Sequence, residues 1–217
     1  MKYAADPELG KQIHQHLKDL GIENPFTPCN PSLSKIEGLF AEIYKELGID
    51  LTDDSMSGTP RRLAKMYSSQ ELFRGLDYNQ FPKLMVVDNT MRFDEMVLER
   101  NIKVSSLCEH HSMPIYGKAF VAYIPNRKVL GLSKLNRVVD FFARRPQVQE
   151  RLTMQIYHTL SFMLNTEDIA VLIQADHMCV KHRGAEDSSS DTCTSKLGGV
   201  FYQGSARQEF LEMCKGF

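Results

Sequence analysis

Cys108-Glu109-His110-His111 (CEHH), followed about seventy residues later by His177-Met178-Cys179 (HMC), is the stretch around which the chain is organised. Cysteine and histidine are the side chains that suit zinc among the borderline-soft metals. Cys108 and His111 are three residues apart, so a tight or helical turn brings both onto one side, whereas an extended chain pairs Cys108 with His110. If Cys108 and His111 hold a metal, we expect His110 to be turned away from it and to face a cavity.

The HMC segment has the spacing of a strand face. Residues i and i+2 of a strand point the same way, so His177 and Cys179 are expected to lie together as an acid or base beside a metal ligand. Three protein ligands, Cys108, His111 and Cys179, leave one tetrahedral position for water, as in catalytic zinc sites. The two segments therefore predict a catalytic metal site.

A closed structural site is the alternative arrangement of the same donors. It needs a fourth ligand, which His110, His177 or the more distant Cys193 could supply. Another interpretation is that these are ordinary residues of a reducing interior, in which cysteine packs as a small hydrophobe. Two donor clusters with two further histidines beside them favour the metal site.

Composition and charge limit the classes of function. The 217 residues suffice for one good core or two small ones, and the formal net charge of −1 gives no basic field to attract nucleic acid. No apolar run reaches the length of a membrane span, and the first ten residues lack the pattern of a signal peptide. Five cysteines at irregular spacing argue against a disulfide framework. We expect a cytoplasmic protein with reduced thiols, no membrane and no nucleic-acid partner.

The first third of the chain is predicted to be helical. A short amphipathic helix is followed by a Pro-rich loop over residues 24–31 and by a stronger helix from Ser34 to Gly48. A third helix is expected to have Thr59 as N-cap and Pro60 at N1, and to run toward Phe73. The first two helices have apolar stripes at helical spacing: Leu9, Ile13, Leu17 and Leu20, then Ile36, Leu39, Phe40, Ile43 and Leu47.

From residue 83 the pattern changes to short β-rich runs and two helices. Ser133 is expected to cap the first helix, and Arg145-Pro146 to begin a second, longer one. The order strand, strand, helix, helix, strand, strand predicts an α+β unit, an antiparallel sheet of two hairpins with the helix pair on one face. We divide the chain into an N-terminal helical region, 1–82, and a second domain, 83–217. Strands are predicted over 83–88, 96–107, 118–124, 169–175 and 198–202, with a turn at 114–117.

Several longer motifs resemble a known family. They are Cys108–His111, Gly131–Arg137 (GLSKLNR), Arg145–Leu152 (RPQVQERL), and His177–Cys179 ahead of Arg183-Gly184, with Asp53–Ser55 and Thr59–Arg62 also matching. Together they resemble the GTP cyclohydrolase I family from about Ile36 to the last helix. The resemblance implies that residues 83–217 form the catalytic domain, with the tunnelling fold, in which sheets of several subunits close into an oligomeric β-barrel. It also implies a homodecamer, a dimer of pentamers.

The resemblance also implies a reaction. Family members convert GTP and water to 7,8-dihydroneopterin triphosphate and formate, the first step toward tetrahydrofolate and other pterins. By that similarity Cys108, His111 and Cys179 bind Zn²⁺, which activates water for attack on C8 of the guanine. His177 is then the acid/base for the imidazole nitrogens, and His110 assists proton transfer. Ring opening, loss of formate, Amadori rearrangement and ring closure follow.

Substrate recognition is assigned by the same resemblance. Glu150 occupies the family position that accepts the guanine N1–H and N2–H together, and Gln149 beside it is also expected to bind the substrate. Ser133 is expected to help at the ribose. Because the assigned residues come from separated segments, we expect active sites shared between subunits. The cations assigned to the triphosphate are Lys134, Arg137, Arg183 and Arg62.

Two rival functions use the same donors. A nucleobase deaminase also uses zinc and water on a heterocycle, but its H-x-E and P-C-x-x-C motifs are missing from this sequence. A non-catalytic, zinc-stabilised binding or oligomerisation module predicts a closed site with four ligands and no converging cations. The number of ligands therefore distinguishes a hydrolase from this module.

Overall fold

The computed structural model describes residues 3–27, 29–68 and 71–215. Pro28, in the predicted Pro-rich loop, lies outside the described residues, as do Ser69 and Gln70, on the predicted path of the third helix toward Phe73. Across the described part of the chain, no helix combines the length and the apolar character needed to cross a bilayer.

A five-stranded sheet lies at the centre of the fold. β2 (Val97–Cys108) and β3 (Pro114–Tyr123) form an antiparallel hairpin. β6 (Ile169–His177) pairs antiparallel with β3, and β7 (Thr192–Leu197) pairs antiparallel with β6. β5 (Pro146–Gln147) pairs in parallel with the last two residues of β2. This sheet delivers Cys108 and His177 at strand ends.

Seven α-helices, three short 3-10 turns and a second small sheet make up the other elements of the described residues. β1 (Val86–Asp88) and β4 (Lys128–Leu130) form an antiparallel pair. The helices are α1 (Pro7–Asp19), α2 (Leu33–Glu46), α3 (Thr59–Met66), α4 (Leu132–Ala143), α5 (Gln149–Leu164), α6 (Met178–Lys181) and α7 (Ser205–Lys215). The chain is an α+β protein, which confirms that part of the prediction. The sheet is not wholly antiparallel as predicted, because β5 joins it in parallel.

The two faces of the sheet bury different partners. Apolar residues of α4 and α5 pack on the face formed by Ile115, Val121 and Ile173, giving the main core. A smaller core on the opposite face contains Phe120 and Phe210, the latter from α7. This packing confirms the predicted helix pair on one face of the sheet. It buries the periodic apolar stripes of α4 and α5, which would otherwise face water.

The last strand lies earlier in the chain than predicted. Residues 192–197 form β7, whereas Gly199–Phe201 form a single 3-10 turn. Gly199 has φ +49°, which is not a strand conformation. A Cβ atom there would lie 2.0 Å from Asp168 Oδ1, so no residue with a side chain fits at this position. β7 has few apolar residues, which is why its sequence does not stand out as a strand.

The predicted turn at 114–117 is also wrong, because these residues open β3. A Cβ atom on Gly117 would lie 2.2 Å from the carbonyl oxygen of Gln174, so this glycine permits the close approach of β6. The reversal lies in residues 109–113 instead, where Ser112 has φ +53° and its N–H donates to the Cys108 carbonyl at 2.8 Å.

Several helix starts differ from the prediction. α2 is capped by Ser32, whose hydroxyl accepts from the Lys35 N–H. Thr59 lies inside α3, where its hydroxyl accepts from Arg62 at 2.5 Å, and α3 ends at Met66, well before Phe73. Glycines precede both α3 and α4, and neither glycine has a side chain that could cap a helix.

The start of α4 and α5 changes two further assignments. Ser133 is not an N-cap, because α4 begins one residue earlier after Gly131. Arg145-Pro146 does not begin the second helix, because Pro146 belongs to β5 and α5 begins at Gln149. The pairing of β5 with β2 keeps this segment extended until it has passed Cys108.

The N-terminal helices pack in two different ways. Ile13 and Leu17 of α1 are fully buried in the main core. In α2, all of whose residues are described, no side chain is fully buried, and Leu39, Ile43 and Leu47 beyond its end are 59%, 51% and 69% exposed. The apolar face of α2 therefore lies largely open in one chain, and the boundary at residue 82 stays a prediction.

Candidate metal centre

The centre is built on a tight turn at the end of β2. Cys108, which is 5% exposed, is the last residue of the strand, and its N–H donates to the Met113 carbonyl at 2.8 Å. The Glu109 N–H donates to the Gln147 carbonyl at 3.0 Å, which attaches the turn to β5. The chain reverses within a few residues, so His111 returns to the side of Cys108.

Three donors converge at this turn. A sulfur of Cys108, a ring nitrogen of His111 and the sulfur of Cys179 all lie within 4.8 Å of one another, and this is the one such group among the described residues. Burial raises the pKa of the Cys179 thiol, and so do the hydrogen bond and charge of Cys108. A bound dication would favour both thiolates, so this donor set fits a thiophilic metal such as zinc.

Cys179 reaches the cluster from a helical turn, so the prediction that it shares a strand face with His177 is wrong. Pairing of β6 with β3 ends at the Ile115–His177 pair, and the next residue of β3, Pro114, has no N–H to continue it. The chain then turns into α6, where the His182 N–H donates to the Met178 carbonyl at 2.9 Å. His177 and Cys179 therefore diverge.

His177 is half-buried and faces α5. Its Nε2 lies 2.8 Å from Oε1 of Gln149. Burial lowers the pKa of His177, and the negative charges of Glu150 and Asp176 oppose this in part. The imidazole is therefore predominantly neutral at pH 7, which suits a proton acceptor.

Gln149 was expected to contact the substrate, but its side chain is directed into the protein. It is 2% exposed, and its amide nitrogen donates to the carbonyl of Ile173 at 3.0 Å and of Thr192 at 2.9 Å. Both ends of the amide are thus used on protein atoms. Thr192 and Thr194, which contribute to this arrangement, were not found from the sequence, because β7 itself was placed too late.

His110 is not turned fully away from the cluster, which corrects the expectation for it. Its Nδ1 lies 3.9 Å from the Cys108 sulfur, the same distance as Nδ1 of His111. The side chain is 65% exposed. His110 therefore remains beside the metal donors while its ring is open to a ligand.

An ion pair that the sequence analysis missed holds the CEHH turn to α5. Nη1 of Arg151 lies 2.5 Å from Oε2 of Glu109, and Nη2 lies 3.4 Å from Oε1. Arg151 follows Glu150 in α5. The ion pair with Glu109 therefore anchors the CEHH turn to the helix that also carries the expected guanine-binding carboxylate. Glu150 itself is exposed in the first turn of α5.

The expected cations are dispersed over the chain. Arg183 is exposed, and its Nη1 lies 2.9 Å from Nε2 of His111, which places it at the cluster. Arg137 lies over the ring of Tyr3, 4.7 Å from its centroid. Arg62 donates to the Ser55 carbonyl at 3.1 Å. Lys134 and exposed Ser133 lie at the opposite end of α4 from Cys108.

The sequence comparisons with known proteins all give the same family. The chain matches the GTP cyclohydrolase I family model over residues 36–215. GTP cyclohydrolase 1 of Aeromonas salmonicida (strain A449) is 57% identical over 209 residues, covering 94% of this chain and 95% of that protein. GTP cyclohydrolase 1 of Shewanella denitrificans (strain OS217) is 51% identical, covering 94% and 96%.

Solved structures give a much smaller similarity. A dihydroneopterin aldolase from Burkholderia thailendensis, bound to guanine, has 13% sequence identity and a TM-score of 0.34, covering 49% of this chain and 93% of that one. A likeness of this size carries no argument about the fold.

Proposed function

The chain belongs to the GTP cyclohydrolase I family, and from this premise we propose which of its residues carry out the conversion of GTP and water to 7,8-dihydroneopterin triphosphate and formate. The observation that carries the proposal is the convergence of Cys108, His111 and Cys179, with half-buried His177 at the adjoining end of β6.

Cys108, His111 and Cys179 would hold the metal, Zn²⁺. Two thiolates and one imidazole are donors that zinc prefers, and three protein ligands leave a position open. When bound, Zn²⁺ supplies Lewis acidity and lowers the pKa of water to about 7, so that water can add to C8 of guanine. The residues of the chain then have to orient the substrate and move its protons.

His177 and His110 move the protons. The neutral imidazole of His177 accepts a proton and returns it to an imidazole nitrogen of the guanine as the C8 bond to that nitrogen breaks. His110, exposed on the CEHH turn, assists the same transfer. Ser133 acts at the ribose during the Amadori rearrangement that precedes closure of the pterin ring.

Charged side chains hold the two ends of GTP. The carboxylate of Glu150 accepts from the guanine N1–H and N2–H, and its exposure leaves both oxygens available. The negative charge of Glu150 raises the pKa of His177, which supports the proximity of the guanine-binding carboxylate to this proton-transfer residue. Arg183, Lys134, Arg137 and Arg62 bind the triphosphate, for which guanidinium groups offer paired donors.

Each site is completed by a second subunit. The twelve residues of α4 span about 18 Å, with Ser133 and Lys134 at one end. Cys108 pairs with Gln147 just beyond the other end of α4. This separation supports a substrate pocket formed between copies of the chain, in a decamer of two pentamers whose sheets of residues 83–217 close into tunnelling-fold barrels.

The experiment that tests the function is direct. Purified, zinc-loaded protein is incubated with GTP, and formate and a fluorescent pterin are measured after oxidation. Both products are expected in equal amounts, and ATP is expected to give neither. Formate without a pterin, or turnover that survives removal of zinc by a chelator, would contradict the proposal.

A further inference from the structure

The amide of Gln149, the first residue of α5, lies in a closed chain of hydrogen bonds. Its Nε2 donates to the carbonyl oxygens of Ile173 and Thr192 and lies 3.2 Å from the hydroxyl of Thr194. Its Oε1 lies 2.8 Å from Nε2 of His177. These hydrogen bonds therefore connect α5, β6 and β7 to His177, the residue proposed to move protons.

The orientation of the Gln149 amide is determined by its neighbours. Backbone carbonyl oxygens accept hydrogen bonds and cannot donate them. If the amide were turned by 180°, its oxygen would face the carbonyls of Ile173 and Thr192 with no hydrogen between them, inside the protein. The atom that faces His177 must therefore be the amide oxygen.

The two threonines fix the remaining hydrogens. The Thr153 hydroxyl donates to the main-chain carbonyl of Gln149 at 2.9 Å, so its one hydrogen is used there. The contact of 2.7 Å between the Thr153 and Thr194 hydroxyls must then be donated by Thr194. The oxygen of Thr194 is left with lone pairs toward the Gln149 amide nitrogen, so the direction of each bond is set.

The geometry points to Gln149 as a positioning residue for His177. An amide oxygen can only accept, so Nε2 of His177 carries a hydrogen, and in the neutral ring Nδ1 is the nitrogen without one. Gln149 thus holds His177 in the Nε2–H tautomer, and Nδ1 is the atom that exchanges a proton with the substrate. This inference rests on the proposed role of His177.

The first experiment compares two buried glutamines of α5. Gln149→Met keeps the volume and removes the hydrogen bonds. We expect kcat to fall roughly 10- to 100-fold, the effect of one buried hydrogen bond, while zinc content is kept and KM for GTP changes by less than about threefold. The control is Gln155→Met, since Gln155 is fully buried and bonds Gln147, Ile22 and Asn24 instead of His177. It should lose thermal stability and keep kcat.

A double-mutant cycle decides whether Gln149 acts through His177. In a His177→Ala background, Gln149→Met should lower kcat no further than about twofold, because the residue it positions is gone. An undiminished effect of Gln149→Met in that background would show direct substrate contact and would overturn the inference. If His177→Ala alone kept full activity, the proposed acid/base role would fail, whatever Gln149 does.

A second measurement does not depend on turnover. Zinc-loaded protein with 15N-labelled histidine is examined by magic-angle-spinning NMR, and the His177 signals are identified by their loss in His177→Ala. We expect hydrogen on Nε2 and none on Nδ1 in the neutral ring. The opposite tautomer in the unmodified protein would overturn the inference.

Discussion

Cys179 supplies its sulfur from a single helical turn, and only two donors remain at the cluster when that sulfur is removed. We expect Cys179→Ser to reduce bound zinc from about one per subunit to near zero and to abolish pterin formation with it, since a site of three ligands has no spare donor. Cys108→Ser and His111→Ala should behave in the same way. Metal analysis and the GTP assay are done on one preparation.

Cys193→Ser is the matched control for this prediction. Cys193 is exposed on β7 and does not belong to the cluster, so zinc and activity should be unchanged. A cluster variant that keeps both zinc and turnover would remove that residue from the set of ligands.

His177 separates proton transfer from metal binding. Its Nε2 is directed to Gln149, and His177 does not belong to the group of three converging donors. We expect His177→Ala to keep zinc while kcat falls by roughly two to four orders of magnitude, the usual contribution of a positioned acid/base. His182→Ala, an exposed neighbour, is the control. Loss of zinc in proportion to activity would instead make His177 a ligand.

Glu150 is expected to determine the preference for guanine. In Glu150→Gln the amide accepts at one atom only, and its NH2 opposes a guanine donor, so binding of GTP should weaken while zinc stays bound. The measurement is GTP affinity, with Glu212→Gln on α7 as a control of equal charge change. Unchanged discrimination between GTP and ATP would contradict this assignment.

At the scale of elements, the loop between α1 and α2 is tied through Arg145 to the segment that joins α4 to β5. This side chain is fully buried, bonds Glu23 at 2.9 Å, donates to the Gly75 carbonyl, and lies over the ring of Phe142. Arg145→Met would leave the buried carboxylate of Glu23 without its guanidinium partner, although the Tyr78 hydroxyl would still donate to it. We expect the free energy of unfolding to fall by about 3–5 kcal/mol.

The control for Arg145 is an exposed pair of the same kind. Arg61 bonds Glu37 at 2.8 Å on the surface, so Arg61→Met should cost less than about 1 kcal/mol. Urea denaturation of both variants gives the comparison. Equal losses would show that burial of the Arg145 pair is not what stabilises this junction.

Elements with strong apolar periodicity could be predicted from the sequence, and polar ones could not. α4, α5 and β6 were located because their apolar residues repeat at 3.6 or fill the strand. β7 and the α6 turn were missed, since the conformation of a polar strand or a one-turn helix depends on the residues it contacts. Thr194 of β7 contacts Gln149 and Thr153. The turn that carries Cys179 forms because the pairing of β6 with β3 ends at Ile115.

The candidate site divides in the same manner. Cys108, His111 and Cys179 could be named from residue type, spacing and family resemblance, and the structure brings them together. The role of Gln149 could not be named, because it depends on backbone carbonyls of Ile173 and Thr192, more than twenty residues away along the chain. Sequence patterns identify donors, whereas hydrogen-bond direction needs coordinates.

At the scale of the whole molecule, the open face of α2 is an apolar surface left without cover in one chain. Leu39 and Ile43 are four residues apart and lie on one stripe. We expect a second copy of the chain to bury it, so Leu39→Lys with Ile43→Lys should lower the assembled mass measured by light scattering. Glu42→Lys, which changes the net charge by the same amount but on the polar side of α2, is the control. An unchanged mass would show that the stripe lies outside the interface.

The shallow packing of α2 also sets the order in which backbone amides are lost to solvent. The helix has no fully buried side chain among its described residues, whereas β3 and β6 have hydrogen bonds on both sides within the main core. In deuterated water, amides of α2 should exchange before those of β3 and β6 in dissociated subunits, and dilution should hasten the exchange of α2 while that of β3 stays slow. The exchange rate of this one helix would then report how much of the protein is assembled.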